Sequence, residues 1–181
     1  MPDVFLSPST QEYNEYVTGG NEEFYANLIA DAVEPYLAAA GINFNRNDPS
    51  KRVGNSVRMS NEGKYDLHVA IHTNAAPASL AGQIQGIDVY YYPASVSGQN
   101  AAEIVAENLA TIYPYPELVG AVPTTSLYEL NNTIAPAILA EIGYHDNRED
   151  AEWIINNTEL IGRNLAQSII EYFGIPFVEP V

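Results

Sequence analysis

Asp66-Leu67-His68-Val69-Ala70-Ile71-His72-Thr73-Asn74 decides the fold. Leu67, Val69 and Ile71 alternate with His68, Ala70 and His72, the period of two that a strand imposes because successive side chains point to opposite faces. His68 and His72 share a face but stand roughly 13 Å apart at about 3.3 Å per residue. They cannot bind one metal ion. His72, at the carboxyl end, is the candidate ligand, while His68, in mid-strand, is expected to be a hydrogen-bonded core residue.

Working outward, residues 4–7 form a short apolar run ended by Pro8, as expected of a buried strand feeding a loop. Asn21 is placed to cap a helix whose apolar face runs through Phe24, Tyr25, Leu28, Ile29, Ala32, Val33, Tyr36 and Leu37, with Glu22 and Glu23 in its first turn. A strand through Ile42 and Phe44 follows, and Asp48-Pro49 reads as the start of a second helix closed by Gly63. Residues 89–92 suggest another strand, Ser97 a further helix, and Pro114, Pro116 and Pro123 an irregular stretch. Ser126 to Leu130 reads as a short strand. Residues 136–142 form an apolar run broken only by Glu141, and helices are expected at about 147–156 and 158–173, with Gly174 ending the second.

Strands alternating with helices over 181 residues predict one α/β domain spanning 1–181, three layers (α/β/α) around a largely parallel mixed sheet. The chain carries 7 Lys and Arg against 23 Asp and Glu, a net charge of −16 that is the wrong sign for binding nucleic acid. It contains no cysteine, which excludes disulfides, thiolate zinc sites and a thiol nucleophile. No run is long and apolar enough to span a bilayer, and the opening residues lack the basic and apolar regions of a secretory signal. Oligomeric state is not legible.

In open α/β sheets, sites form beyond the carboxyl ends of the strands. Three such ends carry polar groups: Gln11 and Glu22 after the first strand, His72 and Asn74 on the middle one, and Glu141 followed by Tyr144, His145 and Asp146 on the later one. A carboxylate in an apolar strand is costly unless paired, so Glu141 suits a base beside a cation better than a plain salt bridge.

The segment 66–75, the segment Pro136-Ala137-Ile138-Leu139-Ala140-Glu141-Ile142-Gly143-Tyr144 with Asn147 and Asp150, and Gly86-Ile87-Asp88-Val89-Tyr90-Tyr91-Tyr92 together resemble the zinc-dependent N-acetylmuramoyl-L-alanine amidases. The resemblance implies a peptidoglycan hydrolase of the bacterial cell wall using Zn²⁺, with Glu22 and His72 as ligands and Glu141 as catalytic base. It departs at the loop after the first strand, where the family's ligand histidine is absent and Ser7-Pro8-Ser9-Thr10-Gln11-Glu12 stands instead. His145 is expected to complete the zinc set, because zinc prefers imidazole to a neutral amide oxygen. Gln11 and Asn74 are then expected to bind substrate, with Gln11 as the other possible ligand. A metal-free peptidoglycan-binding module and a zinc carboxypeptidase or amidohydrolase of other specificity are the alternatives.

Overall fold

The computed structural model describes residues 1–180. Among these residues six strands form one mixed sheet: β1 (Asp3–Pro8), β2 (Asn43–Arg46), β3 (Leu67–Asn74), β4 (Ile87–Tyr91), β5 (Val119–Pro123) and β6 (Ala137–Tyr144). Their spatial order is β2-β1-β3-β6-β4-β5. The first four in that order are parallel, β4 runs antiparallel to β6, and β5 is parallel to β4. Among the described residues six α-helices cover the sheet: α1 (Glu22–Ala39), α2 (Val53–Gly63), α3 (Val96–Ala110), α4 (Tyr128–Asn132), α5 (Arg148–Asn156) and α6 (Thr158–Tyr172). The α/β/α layering expected from the alternation of elements is what forms.

The two faces differ in character. One packs α1, α3, α5 and α6 into a continuous apolar core through residues such as Ile29, Val33, Val105, Leu109, Ile154, Leu165 and Ile169. The other has α2 and α4 over a small cluster of Ala70, Leu130, Ala137 and Leu139, and fills its remaining interior with Ser7, Ser56, Ser60, His68 and Glu129, all buried. Burial of apolar area therefore holds the first face, and hydrogen bonds order much of the second.

Local chemistry sets the boundaries, and three of them differ from expectation. Asn21 caps α1 by accepting the N–H of Phe24 at 2.8 Å, but the buried stripe runs through Glu22, Ala26, Ile29, Ala30, Val33 and Leu37. Phe24 is half exposed, because the stripe lies one residue away from the expected face. Asp48 closes a turn on Ser50 instead of capping α2, which begins later and ends where Lys64 adopts a left-handed conformation with φ 56°. Residues 119–123, inside the proline-punctuated stretch, form edge strand β5, and the segment read as a strand at 126–130 contains the start of helix α4.

One irregularity shapes the region beyond the strand ends. His72 pairs with Glu141, but Asn74 pairs with Tyr144, so β6 carries one extra residue between the two pairs. Gly143 adopts φ 74° within that bulge, a conformation that costs glycine nothing.

Candidate active site and its relatives

The carboxyl ends of β1, β3 and β6 lie side by side, as their parallel register requires, and the expected residues Glu22, His72 and Gln11 meet there. Glu22 is 1% exposed because it opens the buried stripe of α1, whereas Glu23 bonds outward to Asn27. Its Oε1 lies 2.9 Å from His72 Nδ1 and accepts the Thr73 N–H at 3.4 Å. Its Oε2 accepts from Asn14 Nδ2. The Gln11 amide nitrogen, Nε2, is 3.4 Å from the same His72 Nδ1, while its Oε1 accepts from Tyr13 and Asn14. A carboxylate, an amide and an imidazole nitrogen thus converge on one point.

Glu141 faces this group from the neighbouring strand, in register with His72. Its Oε2 is buried and has no hydrogen-bond partner. Burial pushes its carboxyl up to about 7, with the charge of His72 opposing and those of Glu22 and Asp88 adding to the rise. A cavity of about 500 Å³ opens between the β1 loop, α2 and α4, lined among others by Gln11, Arg52, His72, Tyr128, Glu129 and Glu141.

Glu129 is the residue that the sequence did not disclose. It is 3% exposed on α4, its Oε1 is 2.9 Å from His68 Nε2, and its Oε2 is 3.5 Å from His72 Nε2. Ser7 Oγ also donates to Oε1. His68 is the hydrogen-bonded core residue expected, held also at Ser60. Although burial favours the neutral acid, His68 and His72 hold the Glu129 carboxyl far below the usual range. Burial likewise opposes ionisation of Glu22 and of His72. The hydrogen bonds win in both, lowering Glu22 and raising His72 well above an ordinary histidine. Without a metal, His72 is therefore an imidazolium between two carboxylates.

Two expected site residues lie elsewhere. His145 is 5% exposed, with Nδ1 3.1 Å from Thr73 Oγ1 and 3.2 Å from the Thr73 carbonyl, and its ring is stacked on Tyr16. The structure does not bring it to Glu22 and His72. The extra residue in β6 is the reason: regular alternation would put 141 and 145 on one face, and the bulge reverses it. Asn74 Oδ1 accepts the N–H of Ala75 at 2.9 Å, and the residue does not line the cavity.

Among the described residues, no three His, Cys, Asp or Glu side chains gather as a metal site. The cluster at His72 Nδ1 reaches three donors only when the Gln11 amide is counted. That set still suits a cation. A carboxylate, an imidazole and an amide oxygen all occur as ligands of divalent ions, and Glu141 Oε2 stands beside them as an unsatisfied acceptor.

Known proteins show the same architecture. The catalytic domain of CwlV, an N-acetylmuramoyl-L-alanine amidase from Bacillus (Paenibacillus) polymyxa var. colistinus, superposes with a TM-score of 0.82 at 17% identity, over 97% of this chain and 100% of that one. The N-acetylmuramoyl-L-alanine amidase AmiC2 of Nostoc punctiforme gives 0.83 at 20% identity over 96% and 97%. A cell wall amidase of Bacillus anthracis, described as uncharacterized, is 27% identical over 111 residues, which are 55% of this chain and 19% of that protein. This chain thus matches about a fifth of the length of that curated relative. The profile of the Amidase_3 family, described as N-acetylmuramoyl-L-alanine amidase, matches residues 9–171. With residues 9–171 of the 181 matched, the protein belongs to the N-acetylmuramoyl-L-alanine amidase family.

Proposed function

We propose that this chain hydrolyses the amide between N-acetylmuramic acid and the L-alanine of the peptidoglycan stem peptide, acting at the bacterial cell wall. One observation carries the reading: Glu141, half-buried beside His72, keeps a buried carboxylate oxygen without a partner, and burial raises its pKa to about 7. A general base works best when its pKa lies near the operating pH. Family membership supplies the bond and the substrate class.

The cofactor of this reading is Zn²⁺, which Glu22, His72 and Gln11 would hold, the Gln11 amide turning its oxygen in place of its nitrogen toward the ion. Bound there, zinc would polarise the scissile carbonyl and make water a stronger acid. The side chains do the rest. Glu141 Oε2 takes a proton from the attacking water and returns it to the departing L-alanine nitrogen. Asn14 bonds both Glu22 and Gln11, so it fixes the spacing of two ligands. The cavity beside them receives the substrate, with Tyr128 and Arg52 on its lining.

Incubation of the zinc-loaded chain with purified muropeptides, followed by mass spectrometry, tests this. The expected products are stem peptide with a free L-alanine amine and intact glycan, and Glu141→Gln yields neither. Turnover by Glu141→Gln within roughly tenfold of the parent would remove Glu141 as the base.

That no third ionisable ligand joins Glu22 and His72 among the described residues favours one second reading, a metal-free peptidoglycan-binding module. Under it, the parent chain pellets with insoluble peptidoglycan, releases no peptide and does not bind zinc.

A further inference from the structure

We infer that Glu129 is a positioning residue for His72, holding the imidazole with its proton on Nε2 so that Nδ1 presents a lone pair to the point where Glu22 and Gln11 meet. The inference rests on the metal reading above and adds to it a residue that takes no part in the chemistry proposed there.

The two oxygens of Glu129 are used differently. Oε1 accepts from His68 Nε2 at 2.9 Å and from the Ser7 hydroxyl. Oε2 turns to His72 Nε2 at 3.5 Å. A carboxylate accepts hydrogen bonds and cannot donate them, so each nitrogen facing it must carry the hydrogen. For His68, that leaves Nδ1 to accept from Ser60 Oγ at 2.9 Å. For His72, whose Nδ1 faces the Glu22 carboxylate at 2.9 Å in the metal-free protein, it leaves Nδ1 as the nitrogen that gives up its proton to a cation.

Glu129 is held on several sides. It is 3% exposed, and its partners come from β1, β3 and, through Ser60, α2. Neither Lys nor Arg bonds to it among the described residues. An ion buried in this way is often replaceable by apolar side chains with no loss of stability, so stability alone does not account for it. A carboxylate behind a metal-binding histidine does account for it, because it fixes the ring and raises the basicity of the ligating nitrogen.

The test uses the full zinc-loaded chain with ¹⁵N-labelled histidine. In the parent, His72 should show zinc on Nδ1 and a slowly exchanging proton on Nε2. Glu129→Gln should weaken zinc by about 10–100-fold and let the Nε2 proton exchange rapidly, since an amide cannot serve both histidines as acceptor. Ser60→Ala, which loosens His68 only, should lower the melting temperature and leave zinc affinity unchanged. A merely structural Glu129 predicts instead that affinity follows melting temperature through both variants. Should Glu129→Gln not fold, the double change His68→Phe with Glu129→Leu removes the buried polar pair together and is expected to show the same zinc loss.

Zinc on Nε2 of His72, or unchanged affinity without Glu129, overturns the positioning role alone. Failure of the parent to bind zinc overturns the metal reading and this inference with it.

Discussion

Replacing Glu141 by glutamine removes a charge that the folded chain holds at a loss. Burial lifts this carboxyl from the ordinary 4.5 to about 7. At about 1.36 kcal/mol per unit, the ionised form is disfavoured in the metal-free protein by about 3 kcal/mol. The folded pKa lies above the unfolded one, so the group's contribution to stability is fully present below the unfolded value and is lost as pH rises through about 7. Glutamine cannot ionise and escapes that loss. At about pH 8, Glu141→Gln should therefore be more stable than the parent by about 3 kcal/mol, or about 6–12 °C in melting temperature for a chain of this length. At about pH 5, just above the isoelectric point of about 4.2, the difference should shrink below about 1 kcal/mol. Urea unfolding with EDTA present, followed by circular dichroism at both pH values, measures it. A variant no more stable than the parent at the higher pH would show that Glu141 is solvated or paired, and the case for its being a poised base would fall with it. Added zinc brings a positive charge beside Glu141 and should narrow the gap.

Three further outcomes are expected. For the zinc enzyme, kcat/KM should fall as pH drops through the pKa of Glu141, with the limb displaced below 7 by the bound cation. A rate rising on acidification would contradict the base assignment. In competition titrations with a chelator, Gln11→Ala should weaken zinc and Gln11→His strengthen it, whereas His145→Ala should leave it alone and cost stability through Thr73 and Tyr16; the opposite ranking would give His145 the ligand role. Gly162→Ala would place a Cβ 2.4 Å from Ala32 Cβ and 2.7 Å from the Ile29 carbonyl oxygen, forcing α6 away from α1 at a cost of about 1–3 kcal/mol. An unchanged urea midpoint would show that the two helices are not in such close contact.

The layered fold and the convergence of three strand ends were legible because they follow from local periodicity and from the rule that parallel strands aim their ends together. β1, β3 and β6 each showed a short apolar run leading into polar residues, and that sufficed. What stayed hidden depends on register and on tertiary approach. β5 is an edge strand, where a boundary proline such as Pro123 is tolerated, so the prolines around it masked a strand. Helix α4 has five residues, too few to display a helical period. Glu129 sits on that helix and gains its partners only when α4 lies over β3, so nothing in Leu127-Tyr128-Glu129-Leu130 distinguishes it from a surface acid. The placement of His145 failed on a single inserted residue: Gly143 hints at irregularity, but a glycine after a glutamate does not reveal which way the chain turns.

The unequal faces of the sheet also bear on how a polymer reaches the cavity. Helices α2 and α4 are joined to each other by Asn61, which donates to the Asn132 carbonyl and accepts from the Ile134 N–H, and they cover only a small apolar cluster. Regions with few buried apolar contacts open at lower free energy than the global core. Amide exchange is then expected to be faster in α2 and α4 than in α1, α3, α5 and α6. For the glycan substrate proposed above, such a wall would admit a chain with no free end nearby while the apolar core stays folded.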